Sequence, residues 1–410
     1  MHIVIIGIIG FMYIFQLWIN ILNVSYSKKR MPENVSHIYD EQEYKKWMSY
    51  HQEHLVFGIT KKTVSVVLTL SLLIFGVFGL FQTWAIELTN SAILQTLIFL
   101  GIYLVIDTMI SILFDYIHTF KIEEKYGFNK TILKTFITDQ IKNFMVGITI
   151  FGALIAAIQS LYVAFMNQLW MFILLAWIFL AVVMILMALL NTKVFVKIFN
   201  KLSPLEEGEL KEKIDALGVK LGFEVDKISV MDASKRSSKL NAFFSGLGKT
   251  RDVVLFDTLL EKMTDDQVLA VLAHELGHAT YKDTTKMVFQ NILTFGIYAT
   301  VIGFILQYDQ LYTAFGLSGI FFGFGMVLFV ILVEPLSLLF GLVTNGWSRK
   351  IEFRADRFAK KHVGEKEMIG ALEVLAKENF SNLNPHPLYV YIYYNHPTIA
   401  ERIDGLNKED

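Results

Sequence analysis

The sequence predicts a mainly α-helical, polytopic membrane protein with about seven transmembrane helices and a small α+β domain. Of its 410 residues, 54% are hydrophobic and only 18% are charged, and the mean hydropathy is +0.47. Soluble globular proteins are distinctly more polar than this. The apolar residues also gather in runs long enough to cross a bilayer. A long, more polar insertion separates the fifth of these runs from the sixth.

Seven apolar runs are predicted to be membrane spans. They comprise residues 1–23, 63–85, 92–118, 144–166, 169–190, 288–308 and 319–346. Each has about 20 residues or more, the length that a helix needs to cross a hydrocarbon core of about 30 Å. Because the first run has neither a basic segment before it nor a small-residue cleavage site after it, we expect it to be retained as a span.

Lysine and arginine residues are concentrated in alternate loops. After the first and third spans they are Lys28, Lys29, Arg30, Lys45, Lys46, Lys61 and Lys62, and then Lys121, Lys125, Lys130, Lys134 and Lys142. The second, fourth and sixth loops contain none. Cytoplasmic loops are the ones enriched in basic residues, so the pattern predicts an amino terminus outside and a carboxyl terminus in the cytoplasm. The insertion after the fifth span is then cytoplasmic.

Charge balance and the lack of cysteine exclude several kinds of site. With 37 basic and 38 acidic side chains, the formal net charge is −1. No strongly basic face is available to neutralise phosphates, which argues against a nucleic-acid partner. The chain contains no cysteine, which rules out disulfides, thiolate metal sites and a cysteine nucleophile. A metal ion would therefore be held by histidine and carboxylate groups.

The chain is predicted to divide into four segments. Residues 1–191 form five transmembrane helices with their cytoplasmic loops, and residues 192–287 form the α+β insertion. Residues 288–346 supply the sixth and seventh transmembrane helices. Residues 347–410 are expected to return to the domain of the insertion as its carboxyl-terminal helical part.

The insertion combines helix and strand patterns. An amphipathic helix is predicted over 206–221, and strands are predicted over 227–231, 241–244 and 253–256. The last two strands are expected to be joined through a turn at 246–248. An exposed strand edge can pair with the backbone of an extended substrate, as in many peptidases. The pattern of 241–244 fits a plain core strand equally well.

Two histidines and a glutamate lie in a predicted helix at the end of this insertion. Thr264 and Gln267 form a capping box, which sets the start of the helix before an apolar run. His274 and His278 are then one turn apart, so both imidazoles leave the same face and can hold one metal ion, with Glu275 beside them. Zinc peptidases use this arrangement, with the glutamate as proton acceptor. The alternative is a pair of surface histidines on an amphipathic helix.

A pair of carboxylates on a later helix is the candidate source of a third ligand. Residues 347–356 are helical in character, and Glu352 and Asp356 lie one turn apart on one face. A catalytic zinc site has three protein ligands and an open position for water, so Glu352 would complete the set. Asp356 would orient a ligand imidazole by accepting a hydrogen bond from the ring nitrogen that does not bind the metal. Acidic residues at this spacing are also common on solvated helices, and the pair by itself favours that interpretation.

Four polar residues lie inside the predicted spans. They are Asp107, Asp115, Asn291 and Glu334. Such groups are costly in lipid and usually face the interior of a helix bundle or a water-filled cavity. Structural pairing between helices and the lining of a functional cavity are equally compatible with their positions.

Taken together, these features resemble the integral-membrane zinc metalloproteases of the type-I CAAX prenyl endopeptidase family. The matching segments cover nearly the whole chain and comprise the seven spans, 124–130, 241–244, 274–278, 352–356 and 395–397. The resemblance implies a zincin-like protease domain in which His274, His278 and Glu352 bind one Zn²⁺. In that domain Glu275 is the general base and Asp356 orients a ligand.

The resemblance also implies roles that spacing does not show. Residues that match His396 and Arg402 approach the zinc site in this family, where they help to bind substrate and stabilise the oxyanion. The strand that pairs with substrate comprises Asn241, Ala242, Phe243 and Phe244. The family's helices enclose a large hydrated chamber with the zinc at its cytoplasmic end. Its known substrates are prenylated proteins that end in a CAAX sequence, although some microbial relatives act more broadly on membrane proteins.

We therefore expect a multi-pass zinc metalloendopeptidase whose partners are the lipid bilayer and a peptide or protein substrate, prenylated or not. Two alternatives stay open. One is a membrane-protein quality-control endopeptidase with broad substrates, and the other is a transporter or channel with a structural zinc site, which would need a fourth protein ligand. Short length, the lack of cysteine and the absence of an obvious retrieval signal favour a compact prokaryotic member. The host membrane is the plasma membrane in that case and the endoplasmic reticulum in a eukaryote.

Overall fold

Helices dominate the computed structural model, which describes residues 1–245 and 250–408. In chain order the α-helices of six residues or more are α1 (His2–Ser27), α2 (Glu41–Ile74), α3 (Val77–Leu88), α4 (Ala92–Ile117), α5 (Leu133–Phe165), α6 (Leu169–Leu190), α7 (Glu209–Leu221), α8 (Asp257–Lys262), α9 (Asp265–Thr280), α10 (Asp283–Ile305), α11 (Phe322–His362), α12 (Glu365–Glu378), α13 (Pro387–Tyr393) and α14 (Ile399–Leu406). Within the described residues, seven are long and apolar enough to cross a membrane: α1, α2, α4, α5, α6, α10 and α11. This confirms the predicted polytopic helical fold.

The second membrane helix differs from its prediction. Helix α2 begins at Glu41 and ends at Ile74, whereas the hydropathy predicted one span over 63–85. The chain then turns at Gly76, whose φ of +66° lies in the left-handed region that favours glycine, and continues as α3. Both sides of this turn are strongly apolar, so the hydropathy profile runs across it without a dip. The predicted span is therefore corrected to the end of α2, the turn and most of α3.

The last membrane helix continues without a break into the polar domain. Helix α11 runs for 41 residues, so the predicted seventh span and the helical segment after it are parts of one element. At about 1.5 Å per residue it is about 60 Å long, roughly twice the thickness of a hydrocarbon core. Glu352 and Asp356 lie on its last three turns, beyond the apolar part that crosses the membrane.

A four-stranded mixed sheet forms one side of the polar domain. Its strands are β1 (Leu202–Pro204), β2 (Glu224–Met231), β3 (Ala242–Ser245) and β4 (Thr250–Phe256), in the spatial order β1-β2-β4-β3. Strands β2 and β4 are parallel, and the two outer strands pair antiparallel with them. Three of these strands were predicted, while the short β1 was not. The predicted turn at 246–248 lies outside the described residues.

Helix α9 is the centre of the polar domain's core. It starts with the predicted capping box, in which Thr264 and Gln267 each accept a backbone N–H of the other. All six residues from Val268 to Ala273 are buried, and they pack between the sheet and helix α12. A helix enclosed on several sides in this way holds its side chains in fixed positions. The histidines that follow in the same helix are therefore carried on a rigid support.

Two ion pairs connect helix α2 to helices α4 and α11. Lys61 of α2 lies 3.0 Å from Asp115 of α4, and Lys62 lies 3.2 Å from Glu334 of α11. Gln16 of α1 donates a hydrogen bond of 3.0 Å to Glu334. These charged side chains keep 35–41% of their surface accessible, so they are not sealed between packed helices. Two of the four predicted intramembrane polar groups, Asp115 and Glu334, are thus paired with lysines and remain partly accessible.

Candidate metal centre

The two histidines of α9 point to a common position. His274 and His278 have their ring centroids 4.8 Å apart with an interplanar angle of 88°, and their Nε2 atoms are 3.2 Å apart. This follows from their spacing of four residues, which places both side chains on one face of the helix. Two ring nitrogens this close, on rings turned at right angles, suit coordination of a shared cation.

Glu352 of α11 completes a set of three donors. Its Oε2 lies 3.3 Å from His274 Nε2 and its Oε1 lies 3.2 Å from His278 Nε2. In a tetrahedral zinc site with bonds of 2.0–2.2 Å, ligand atoms are about 3.3–3.6 Å apart, and the observed distances lie near the lower end of that range. Glu352 Oε2 is also buried without a hydrogen-bond partner, and a buried carboxylate oxygen is rarely left unsatisfied. The set therefore fits a bound zinc ion.

The close approach of α9 and α11 depends on Gly277. A Cβ atom at this position would lie 3.2 Å from Ala355 Cα and 3.2 Å from Phe358 Cβ. Contacts this short are rare for a real Cβ, so a larger residue would push the two helices apart. Glycine between the two histidines thus lets the ligand helices meet.

Asp356 contacts the Nδ1 side of His274, and Arg402 in turn holds Asp356. Asp356 Oδ1 lies 2.9 Å from His274 Nδ1, while Arg402 donates to both oxygens of the same carboxylate, at 2.9 and 2.6 Å. Burial by itself lowers the pKa of His274, but the neighbouring carboxylates of Asp356 and Glu352 outweigh burial and raise the pKa to about 9. A metal ion entering the site therefore competes with a proton.

Asp283 supports the other histidine, and the sequence analysis did not single it out. Its Oδ2 lies 3.2 Å from His278 Nδ1, and its Oδ1 forms an ion pair with Arg354 of α11. The contact arises because Lys282 adopts a left-handed conformation, with φ of 56°, and turns the chain back between α9 and α10. The one available signal was an acidic residue five positions after His278.

Glu275 follows His274 directly in the same helix. It is half-buried, and burial raises the pKa of its carboxyl above the ordinary value. A carboxylate with a raised pKa is a stronger proton acceptor than an exposed one.

His396 lies at the open side of the centre. Its Nε2 is 3.3 Å from Glu352 Oε1, and its side chain is 55% exposed. At this centre, the described donors that lie within 4.8 Å of one another are those of His274, His278 and Glu352. The set thus has three members, the number typical of catalytic rather than structural zinc sites.

The predicted substrate strand forms one edge of the sheet. Asn241 accepts a backbone hydrogen bond of 3.1 Å from Phe256 of β4, and in an antiparallel ladder alternate residues face opposite sides. Ala242 and Phe244 therefore direct their backbone N–H and C=O groups away from β4. The Ala242 N–H donates instead to the side chain of Asn241, at 2.9 Å. Strand β3 also packs against α9, which carries the histidines.

Comparisons with known proteins agree with this geometry. A family model described as the CAAX prenyl protease N-terminal region, five membrane helices, matches residues 20–201, and the model of peptidase family M48 matches residues 204–410. The chain is 32% identical to CAAX prenyl protease 1 of Saccharomyces cerevisiae, with 93% of this chain and 89% of that protein covered. It is 30% identical to the CAAX prenyl protease 1 homolog of Arabidopsis thaliana, with coverage of 99% and 97%.

A solved structure has the same fold over its full length. The crystal structure of S. mikatae Ste24p matches with a TM-score of 0.93 at 29% identity, and 99% of each chain is covered. Together with the family models, this match confirms the resemblance and favours a peptidase over a transporter or channel. The chain belongs to peptidase family M48, in its CAAX prenyl protease branch, and is a membrane metalloprotease.

Proposed function

We propose that the protein is a zinc-dependent membrane endopeptidase that cleaves prenylated proteins near a carboxyl-terminal CAAX sequence. The observation that carries the proposal is the set of three donors from His274, His278 and Glu352, of which His274 and Glu352 are buried, with Glu275 beside it. The yeast and plant relatives are CAAX prenyl proteases by name, and their likeness to this chain extends over nearly its full length. This supports the same substrate class.

Zinc is the metal that best suits these donors. Two imidazole nitrogens and one carboxylate form a mixed nitrogen and oxygen set, whereas magnesium and calcium prefer oxygen ligands alone. The chain has no thiolate to offer. Zinc held here would supply Lewis-acid assistance to the hydrolysis of a peptide carbonyl group.

Glu275 is placed to carry the proton of the reaction. In the proposed mechanism its carboxylate takes a proton from the attacking water, and the resulting carboxyl group passes it to the leaving amine. Because water is the nucleophile, no acyl-enzyme forms and no serine or cysteine is needed. Asp356 and Asp283 would keep the two imidazoles in the orientation that directs Nε2 toward the metal.

His396 is the best-placed donor for the oxyanion. It lies at the exposed side of the centre, where a substrate carbonyl can reach it. Arg402 already uses Nε and Nη2 to hold Asp356, so we assign it chiefly a positioning role there. A hydrogen-bond donor aimed at an oxyanion is worth about 3 kcal/mol in the transition state.

Strand β3 is the proposed binding surface for the substrate backbone. The outward N–H and C=O groups of Ala242 and Phe244 would pair with an extended peptide by strand addition. Asn241 would have to release the Ala242 N–H, which its side chain accepts in the free protein. Side chains of the strand would then contribute less to affinity than its backbone.

We propose that cleavage takes place on the cytoplasmic side of the membrane. The alternation of basic loops supports that orientation for the polar domain. The host membrane would be the plasma membrane in a prokaryote and the endoplasmic reticulum in a eukaryote.

Cleavage of a matched peptide pair tests the proposal. The purified protein should cleave a farnesylated peptide ending in a CAAX sequence, and it should cleave the same peptide without the prenyl group at least about tenfold more slowly, a difference of about 1.4 kcal/mol in the transition state. Glu275→Gln, purified alongside, should cleave neither. Equal rates for the two peptides would instead favour a quality-control endopeptidase of broad specificity. Cleavage of neither by the zinc-loaded protein would contradict the proposed substrate class.

A further inference from the structure

A second group of metal-type ligands lies outside the catalytic centre. His54 of α2 offers one donor atom, and His118 and Glu123, in the turn directly after α4, offer one each. These three atoms lie within 4.8 Å of one another. We propose that these three residues form a second binding site for a transition-metal dication such as Zn²⁺. The site would join two membrane helices to the polar domain.

The two histidines repeat the geometry of the catalytic pair. The rings of His54 and His118 have centroids 5.0 Å apart and an interplanar angle of 88°. The corresponding values for His274 and His278 are 4.8 Å and 88°. Two imidazoles turned edge to face at this distance direct their nitrogens to a shared position. Here the rings come from different helices, so sequence spacing does not require the arrangement.

A π-helical turn places His118 and Glu123 together. These residues are five positions apart, which puts them about 140° apart around an ordinary α-helix. The segment His118–Glu123 is instead a π turn, in which backbone hydrogen bonds link residues five apart and residues at this spacing lie above one another. Such turns occur frequently at functional sites. The π turn therefore explains why the side chains of His118 and Glu123 can reach one common metal position.

Glu123 is held as a ligating carboxylate usually is. Its Oε1 lies 2.9 Å from His54 Nε2 and 3.8 Å from His118 Nε2. Tyr50 donates to Oε1 at 2.7 Å, and the Lys239 ammonium lies 3.0 Å from Oε2. Outer groups of this kind fix the orientation of a metal-binding carboxylate. The lysine charge also opposes a dication, so we expect weaker binding than at the catalytic centre.

An ion can reach the site from open space. The side chains of His54 and His118 are 28% and 39% exposed, whereas that of Glu123 is 11% exposed. His118 lines a cavity of about 260 Å³ that also contains the carboxylates of Asp115 and Asp139. His54 lines a separate cavity of about 190 Å³. A buried carboxylate with two more accessible imidazoles leaves positions for water on the metal.

The site is linked to the proposed substrate strand. Lys239 precedes β3 by three residues, and its carbonyl oxygen accepts a hydrogen bond of 2.9 Å from Thr258. Its ammonium group lies 4.7 Å from the centre of the Phe128 ring and 3.0 Å from Glu123 Oε2. A metal on Glu123 would thus tie α2, the end of α4 and the segment entering β3 into one unit. We expect occupancy to raise thermal stability.

Zinc counting separates the two sites. The full-length protein, stripped with a chelator and titrated with zinc in detergent, should bind two ions per chain, one of them at least tenfold more weakly. His118→Gln and His54→Gln should each lose the weaker ion, keep the tighter one and retain peptidase activity. Glu352→Gln should lose the tighter ion and keep the weaker, so a failure of the catalytic assignment would be seen separately.

Two further variants guard against adventitious binding. Tyr50→Phe removes the hydroxyl that donates to Glu123 and accepts from Lys239, and it should weaken binding of the second ion about tenfold. His37→Ala removes an exposed histidine that also contacts a glutamate, with its Nε2 atom 2.7 Å from Glu373 Oε1. This variant should keep both zinc ions. The parent's melting temperature should rise as the weaker site fills, and that of His118→Gln should not. Saturation of the parent at one zinc, or survival of the second ion in both histidine variants, would overturn the proposal.

Discussion

Gly277 and Ala355 are in direct backbone contact across the two ligand helices, since a Cβ atom on Gly277 would lie 3.2 Å from Ala355 Cα. The neighbour is helix backbone, which cannot rotate away as a flexible side chain would. The separation of His278 from Glu352 is therefore set partly by the absence of a side chain at position 277.

Gly277→Ala should reduce metal occupancy. The added methyl group forces α9 and α11 apart by a few tenths of an ångström, and overpacking of this kind costs about 1–3 kcal/mol. Zinc content and melting temperature should both fall. Gly147→Ala in α5, where a Cβ would meet nothing within 4 Å, is the matched control and should leave both unchanged or raise stability slightly. Full zinc content in Gly277→Ala would show that the helix contact does not set the ligand spacing.

Glu352→Gln and Glu275→Gln should have opposite effects on metal content. An amide in place of Glu352 removes the negative ligand, so zinc should be lost together with activity. An amide in place of Glu275 removes the proton acceptor alone, so activity should vanish while zinc stays bound. Metal analysis of the two purified variants, with a cleavage assay on each, decides the assignment. Zinc loss from Glu275→Gln but not from Glu352→Gln would mean that ligand and base have been exchanged.

Asp283→Asn should weaken metal binding without removing a ligand. The change takes away the charge behind His278 Nδ1, and substitutions of such outer partners typically cost 10–100-fold in affinity or activity. A zinc titration monitored by a competing chelator measures the effect. Asp265→Asn is the control, because it makes the same chemical change in the first turn of α9, remote from the histidines. Asp265 lies 3.5 Å from Lys213, and the variant should bind zinc with the affinity of the parent. Equal affinity in the two variants would argue against a role for Asp283.

Cysteine labelling should establish the orientation, because the natural chain contains no competing thiol. Asn90→Cys, in the short loop after α3, should react with an impermeant thiol reagent added to intact cells. Glu261→Cys, exposed on α8 of the polar domain, should react only after permeabilisation. The reverse pattern would invert the topology and place proteolysis outside the cytoplasm.

Ala242→Pro should reduce catalytic efficiency sharply while zinc content and melting temperature stay near those of the parent. The Ala242 N–H points away from β4, so proline removes a donor for substrate without breaking the sheet. Phe243→Pro is the contrasting variant, because alternation directs its N–H toward β4; it should destabilise the domain and release metal. Ala242→Ser should be mild. If Ala242→Pro lost stability and zinc as well, the strand would be ordinary core and substrate would bind elsewhere.

The sequence predicted the features that depend on local periodicity and missed those that depend on how the chain turns. His274 and His278 could be placed together because four residues make about one helical turn, and the capping box fixed where that helix begins. Asp283 could not be placed, because its contact depends on a left-handed residue at Lys282. The break at Gly76 lies in an evenly apolar stretch, and the π turn before Glu124 has no periodic signature. The edge position of β3 follows only from the strand order.

Because α11 both crosses the membrane and carries Glu352, the thickness of the bilayer is expected to affect zinc binding. The apolar part of α11 must match the hydrocarbon layer, while the same helix, with Pro335 in its interior, continues to Glu352 beside the histidines of α9. A helix that is too long for its membrane tilts, and tilt of the part inside the membrane is expected to displace the end that carries Glu352. Reconstitution in lipids of graded chain length would therefore tune zinc affinity without altering any residue of the site.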